Sequence, residues 1–139
     1  MADDSFRSVR IERDSVGHYT VHNPRGGTIP VGGDDFSPVE LLLAAIGTCT
    51  AVDTDVATSR RVEPTTFTVT VSGDKVSDQE TGNHMENLAV TFDVTFPDGD
   101  RGDAARKLLP RTVKLSHDRL CTVSRTVERG TPVHPSIAG

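Results

Sequence analysis

The sequence predicts an α+β fold, and three observations carry that prediction. "TFTVTVSG" (66–73) and "NLAVTFDVTF" (87–96) alternate apolar and polar residues with the period of two of a half-buried strand. "SPVELLLAAIGTC" (37–49) combines a helix start signal with a long apolar run, and "GDAARKLLPRTVKLS" (102–116) returns to helical spacing. The resulting order of strands, helix, strands, helix and strand keeps the two kinds of element apart.

In chain order, "FRSVRIER" (6–13) and "HYTVH" (18–22) alternate moderately and read as short strands. The Gly- and Pro-rich "NPRGGTIPVGGDDF" (23–36) reads as a long loop. Ser37, Pro38 and Glu40 then form a capping box with a proline where its missing N–H costs nothing. From Val39 to Ile46 no polar face remains, so this helix is expected to be covered by protein on all sides. Arg60 and Arg61 bring to its far end the charge that a helix C-terminus prefers.

Phe67, Val69 and Val71 share one strand face, as do Leu88, Val90, Phe92, Val94 and Phe96, and the two strands read as hairpin partners across a polar connection at 73–86. Asp103 is placed to cap the helix at 102–116, in which Pro110 either makes a kink or starts a second helix. "TPVHPSI" (131–137) reads as a last strand on a sheet edge, because Pro132 and Pro135 cannot donate to a ladder.

The 139 residues suit a single domain spanning 1–139, which buries roughly two thirds of its unfolded surface and needs no staple. The opening "MADDSFRSVR" is acidic and polar, and no run is read as approaching the ~20 apolar residues that span a bilayer. These features predict a soluble cytoplasmic protein without a membrane partner. A formal net charge of −5, with basic residues scattered apart from Arg60 and Arg61, argues against nucleic-acid binding. One tyrosine and no tryptophan leave few platforms on which bases could stack.

Chemistry is sought first in the two cysteines. Cys49 lies deep in the apolar helix, and Gly47 beside it removes a side chain where another backbone or a small substrate could approach. Taken alone it is a small apolar residue whose thiol burial makes inert. Mid-helix it gains little from the helix dipole, and Asp53 one turn further on opposes a thiolate. Cys121 opens a stretch in which Leu120, Val123 and Val127 recur at helical intervals, and a thiol at a helix N-terminus ionises more readily. Cytoplasmic cysteines that meet are catalytic or redox-sensing more often than structural. Spacing leaves open whether these two meet.

His18 and His22 share a strand face but lack the CxxC spacing of a zinc site. His84, His117 and His134 read as surface residues, and "RGG" (25–27) lacks the Lys-Ser/Thr of a phosphate loop. No metal site is expected.

"SPVELLLAAIGTCTAVD" followed by "LCTVSRTVERGTPV" resembles the OsmC/Ohr superfamily, the osmotically inducible and organic hydroperoxide resistance proteins. The resemblance implies antiparallel sheets around a central buried helix, in an intertwined homodimer with its active sites at the subunit interface. It implies that Cys49 is the peroxidatic thiol, attacking the O–O bond of a small apolar alkyl or lipid hydroperoxide and becoming a sulfenic acid. Cys121 would be the resolving thiol, and a dithiol such as a dihydrolipoyl protein would reduce the resulting disulfide. No metal, haem or flavin cofactor is implied.

Two positions depart from the family pattern. Its catalytic glutamate falls where this chain has Val39, and Glu40 is one residue, or about 100° of helix rotation, further on. Glu40 therefore reads as a cap ahead of a catalytic group. Arg25 matches, in location, the loop arginine that activates the thiolate. The alternative function on the same scaffold is non-enzymatic: a redox-responsive switch, or a module that binds a small apolar ligand.

Overall fold

Residues Arg10 to Val31 form an antiparallel sheet of three strands in the order β1 (Arg10–Ser15), β2 (His18–His22), β3 (Thr28–Val31). The structure, a computed structural model describing residues 4–139, divides into one compact unit ending at Leu42 and another running from Leu43 to Gly139. The sheet belongs to the first. Its first strand starts four residues later than the sequence suggests, because β2 ends at His22, opposite Arg10, and leaves Phe6–Val9 with no strand to pair with. β3 falls inside the expected loop. Its Pro30 sits opposite Thr20 on an edge strand, where a missing N–H is tolerated.

The helix α1 (Pro38–Ser59) starts in the first unit as its capping box dictates. The Ser37 N–H donates to Glu40 Oε1 at 2.8 Å and the Glu40 N–H donates to Ser37 Oγ at 3.1 Å. Its far end stops just short of the arginine pair, where the Arg61 N–H donates to the Thr58 carbonyl at 2.9 Å.

In the second unit, β4 (Thr66–Val76) and β5 (His84–Thr95) form the expected antiparallel hairpin. Both strands outrun the predicted spans because a bulge between Ser72 and Asp74 absorbs Gly73. A Cβ at Gly73 would stand 2.8 Å from Leu88 Cδ2, so the glycine admits the facing side chain. The connection thereby shrinks to residues 77–83. Phe67 and Phe92 meet edge to face, with ring centroids 6.3 Å apart. Gly47 of α1 lies over β4, since a Cβ there would stand 2.5 Å from Val71 Cγ2.

The second helix, α2 (Asp100–Leu115), is capped by Gly99 rather than by Asp103. Asp103 lies inside the first turn and accepts from Arg106 Nη1 at 2.6 Å, while Arg106 Nη2 donates to the Phe96 carbonyl at 2.9 Å and ties the helix to the end of β5. Pro110 sits within α2 without ending it. A π-turn, Ser116–Leu120, follows, and then α3 (Thr122–Arg129). The expected last strand is not formed. Residues 131–139 are irregular and exposed, with Val133 and Ile137 bare, because Pro132 and Pro135 withhold two N–H groups and no strand in this unit offers them a ladder.

The expectation that α1 is covered on every side from Val39 to Ile46 is not met within this chain, where Leu42 is 36% exposed. Its buried face is a single stripe one turn apart, Ile46, Thr50, Thr54 and Thr58, together with Gly47. Val52 and Val56, off that stripe, are 60% and 53% exposed. The buried threonines satisfy themselves along the helix: the Thr54 hydroxyl donates to the Thr50 carbonyl and that of Thr58 to the Thr54 carbonyl, each at 2.9 Å. By length and composition alone α1 could cross a bilayer, which corrects the reading that no run approaches that length.

Candidate thiol site

Cys121 occupies the junction between the π-turn and α3, and local hydrogen bonding fixes it there. Its N–H donates to the Ser116 carbonyl at 2.7 Å, closing the π-turn, and its own carbonyl accepts the Arg125 N–H at 2.9 Å, opening α3. The residue is the N-cap of α3, and its sulfur plays the part a serine or aspartate oxygen usually takes. Sγ accepts the Ser124 N–H at 3.4 Å and lies 3.3 Å from Ser124 Oγ. The side chain is fully buried.

Cys49 lies on α1, half-buried, and both cysteines are free. The two thiols are neighbours, each shifting the other's ionisation. The structure thus brings together the pair whose meeting the sequence left open. Burial pushes the Cys121 thiol up, but hydrogen bonds from the Ser124 hydroxyl, the Ser124 N–H, the Cys49 thiol and the Val123 N–H outweigh it and hold the group below the ordinary cysteine range. Burial pushes the Cys49 thiol up as well; the Val123 N–H opposes this, while the bond to Cys121 and the negative charges of Cys121 and Asp53 push it further. The pair is polarised. Of the two thiols, Cys121 is the one that ionises more readily.

A buried polar brace stands behind the pair. Thr50, the residue after Cys49, donates from its hydroxyl to Ser116 Oγ at 2.8 Å, and Ser116 donates to Asp53 Oδ2 at 2.7 Å. α1 is thereby bonded to the π-turn that carries Cys121.

Beside the site lies a cavity of about 250 Å³ whose apolar wall is Ile46, Leu88, Val90, Phe92, Val113 and Val127. Thr50 and Ser124, immediate neighbours of the cysteines, reach its lining, and so do His117 and Glu128. His117 bridges two carboxylates, with Nδ1 at 2.8 Å from Asp118 Oδ1 and Nε2 at 3.0 Å from Glu128 Oε1. The Asp118 bond, followed by that to Glu128, raises the imidazole above its ordinary range. His117 is thus a linker between the π-turn and α3, where the sequence shows only a surface histidine.

Arg25 and Glu40 belong to the first unit. Arg25 is exposed in the turn after β2, its N–H donating to Asn23 Oδ1 at 3.0 Å. Glu40 serves the helix cap, and its bonds to the Ser37 N–H and then the Ser37 hydroxyl lower its carboxyl below the usual range. Sequence reasoning missed Ser124, Ser116 and Thr50. Ser124 carried a signal, since it stands three residues after Cys121, the spacing at which an N-cap side chain meets a backbone N–H. Ser116 and Thr50 carried none. Among the described residues no group of three or more His, Cys, Asp or Glu side chains is arranged to hold a metal.

The chain is thus an α+β protein of small antiparallel sheets and helices, with one free cysteine on the long helix and another at the start of a C-terminal helix. Residues 31–136 match the family model described as OsmC-like protein, and the chain belongs to that family. An uncharacterized protein of Mycobacterium tuberculosis is 30% identical over 129 residues, which cover 89% of this chain and 90% of that one. Among solved structures, a hypothetical protein from Aquifex aeolicus superposes with a TM-score of 0.74 at 23% identity, over 91% of this chain and 90% of its own. An organic hydroperoxide resistance protein OsmC from Legionella pneumophila superposes with a TM-score of 0.56 at 14% identity, over 91% of each chain. At these identities the two structures speak to the fold.

Proposed function

We propose that this protein is a cysteine-based peroxidase that reduces organic hydroperoxides and works as a homodimer. The observation that carries the reading is the pair of neighbouring free thiols beside an apolar cavity. Cys49 attacks the distal oxygen of the hydroperoxide; the O–O bond breaks, the alkoxide leaves and takes up a proton as the alcohol, and the sulfur becomes a sulfenic acid. The Cys121 thiolate attacks that sulfur, forming the disulfide and releasing hydroxide, which leaves as water. A dithiol returns two electrons by exchange, and a dihydrolipoyl group is the reductant the family resemblance suggests. Cys121 suits the resolving role, because a stabilised thiolate is ready to attack and is also the better leaving group when the disulfide is reduced.

The apolar wall favours an alkyl chain over hydrogen peroxide, by about 0.8 kcal/mol for each methylene it buries. Support for the dimer comes from α1, whose Val52 and Val56 stay exposed in this chain. Arg25 stands as the arginine available to such an assembly, and a cytoplasmic location agrees with two cysteines kept as free thiols.

The test supplies either an alkyl hydroperoxide or hydrogen peroxide together with excess dihydrolipoamide and follows peroxide loss. Wild type should consume the alkyl hydroperoxide continuously and faster, and Cys49→Ser should not. A protein that oxidises once and stops is a redox switch, and one whose cysteines can both be replaced without loss uses neither thiol.

A further inference from the structure

One wall of the apolar cavity is α3, which supplies Ser124, Val127 and Glu128 to its lining. The helix has eight residues, below the about 12 at which a helix stands by itself in water, and none of them is buried. Its placement therefore leans on ties at its two ends. At the start Cys121 caps it, with the Ser124 N–H 3.4 Å from Sγ. In the last turn Glu128 Oε1 meets His117 Nε2 of the π-turn at 3.0 Å. Both ties and the whole cavity lining lie in the second unit.

The tie at Glu128 has a protonation requirement. His117 Nδ1 lies 2.8 Å from Asp118 Oδ1 while Nε2 meets Glu128. Ionised carboxylates only accept, so both ring nitrogens must donate, and only an imidazolium carries two N–H groups. A neutral ring carries one. It keeps the bond to Asp118, its neighbour in the chain, which Lys114 Nζ holds from α2 through Oδ2. Its other nitrogen then turns a lone pair toward Glu128, which Arg125 Nη1 holds from within α3 through Oε2 at 2.6 Å. The faces that α1, α2 and β5 turn to the cavity carry no charged side chain. Among the described residues, the charged groups bonded to the ring or to its partners are Asp118, Glu128, Lys114 and Arg125.

We propose that His117 is the positioning residue of the apolar pocket: as an imidazolium it pins α3 across the cavity, and on losing its proton it releases the wall that holds the alkyl group of the substrate. The inference rests on the reading that this cavity takes the apolar part of the hydroperoxide. The flanking carboxylates raise the proton affinity of the ring, so the clasp is closed in acid and opens as pH rises through the raised imidazole value.

The test follows binding of 2-phenyl-2-propanol, the alcohol that cumene hydroperoxide leaves, which has no O–O bond and reports on the cavity without thiol chemistry. Its dissociation constant is measured from about pH 5.5 to about pH 9, spanning the imidazole range, in wild type, His117→Ala and Glu128→Gln, beside an NMR titration of the His117 ring. Wild type should bind roughly tenfold more weakly at the alkaline end, the scale of one lost hydrogen bond to a charged group, with the midpoint of the imidazole. His117→Ala should bind weakly at every pH. Glu128→Gln should bind as well at the alkaline end as at the acidic end, because glutamine accepts from the imidazolium and donates to the neutral ring.

A pH dependence that survives in His117→Ala belongs to another group, and a wild-type affinity that stays flat while the ring titrates means that the clasp does not set the wall. Either result overturns the proposal, and so does an absence of binding in all three proteins, even where peroxide is consumed. If binding behaves as expected while cumene hydroperoxide with excess dihydrolipoamide is not turned over, the peroxidase reading fails and the pH-controlled pocket stands.

Discussion

Ser116 donates its hydroxyl to Asp53 Oδ2 across 2.7 Å and accepts the Thr50 hydroxyl at 2.8 Å, so one buried serine joins α1 to the π-turn on the flank of the thiol pair. Ser116→Ala removes a donor and an acceptor at once and leaves the Thr50 hydroxyl and the Asp53 carboxylate short of partners. The expected loss is about 1 to 3 kcal/mol, read as a lower urea midpoint with unchanged slope. The Cys121 N–H bond to the Ser116 carbonyl is made by the backbone and survives the change. An unaltered midpoint would mean that water replaces the brace.

Gly47 sets how closely α1 approaches β4. Alanine for glycine inside a helix ordinarily gains about 1 kcal/mol, but a Cβ here would stand 2.5 Å from Val71 Cγ2, and valine is stiff at χ1. Gly47→Ala is therefore expected to destabilise. Adding Val71→Ala should recover part of the loss, so that the double variant is more stable than the sum of the singles predicts. Strict additivity in denaturant unfolding would remove the close approach as the cause.

The His117 clamp predicts a pH window. His117 is raised in the folded state, so its contribution is complete below the unfolded imidazole range and fades as pH rises through the folded value. Asp118 and Glu128 are lowered, the first chiefly by Lys114 and the second chiefly by His117, so their contributions are complete above the unfolded carboxylate range and fade as pH falls through the folded values. The melting temperatures of wild type and His117→Ala should differ most between those limits and converge in both more acidic and more alkaline solution. A difference constant across pH would assign His117 to packing alone.

The exposed Val52 and Val56 side chains bear on assembly. If a second copy covers them, Val52→Glu or Val56→Glu places a charge in that contact and shifts sedimentation from dimer toward monomer. Glutamate at an uncovered position is nearly neutral. A wild-type protein already monomeric at micromolar concentration would withdraw the dimer.

Glu40 separates the cap from catalysis. Because Ser37 holds its carboxyl low, its share of stability is complete above the unfolded carboxylate range and is lost as pH falls through the folded value. Glu40→Gln should therefore lower the melting temperature at neutral pH, with the gap closing in acid. Ser37→Ala should cost about 1 kcal/mol from the same cap. If Glu40→Gln instead lost peroxide turnover at unchanged stability, Glu40 would return to the catalytic set.

The sequence by itself determined what is written in nearest neighbours and short periods. Ser37 and Glu40 started α1 where expected, the alternation around Phe67 and Phe92 paired β4 with β5, and Cys121 fell at the head of a helix. The opposing tendencies of the two thiols were legible as well, since a helix start and an aspartate one turn away are both local facts. Tertiary structure decided the rest. Only folding made neighbours of residues 72 apart in sequence, Cys49 and Cys121, and only the π-turn aimed Ser116 at Thr50 and Asp53. β3 was hidden because Pro30 and its glycines signal a loop until β2 offers an edge, and the span of β4 because the bulge at Gly73 breaks the period of two. Which side of α1 is buried was likewise not a matter of composition, since an almost uniformly apolar segment carries no preferred face. The bond from Thr50 to Ser116 and the close approach of Gly47 to Val71, both to neighbours distant in sequence, chose one.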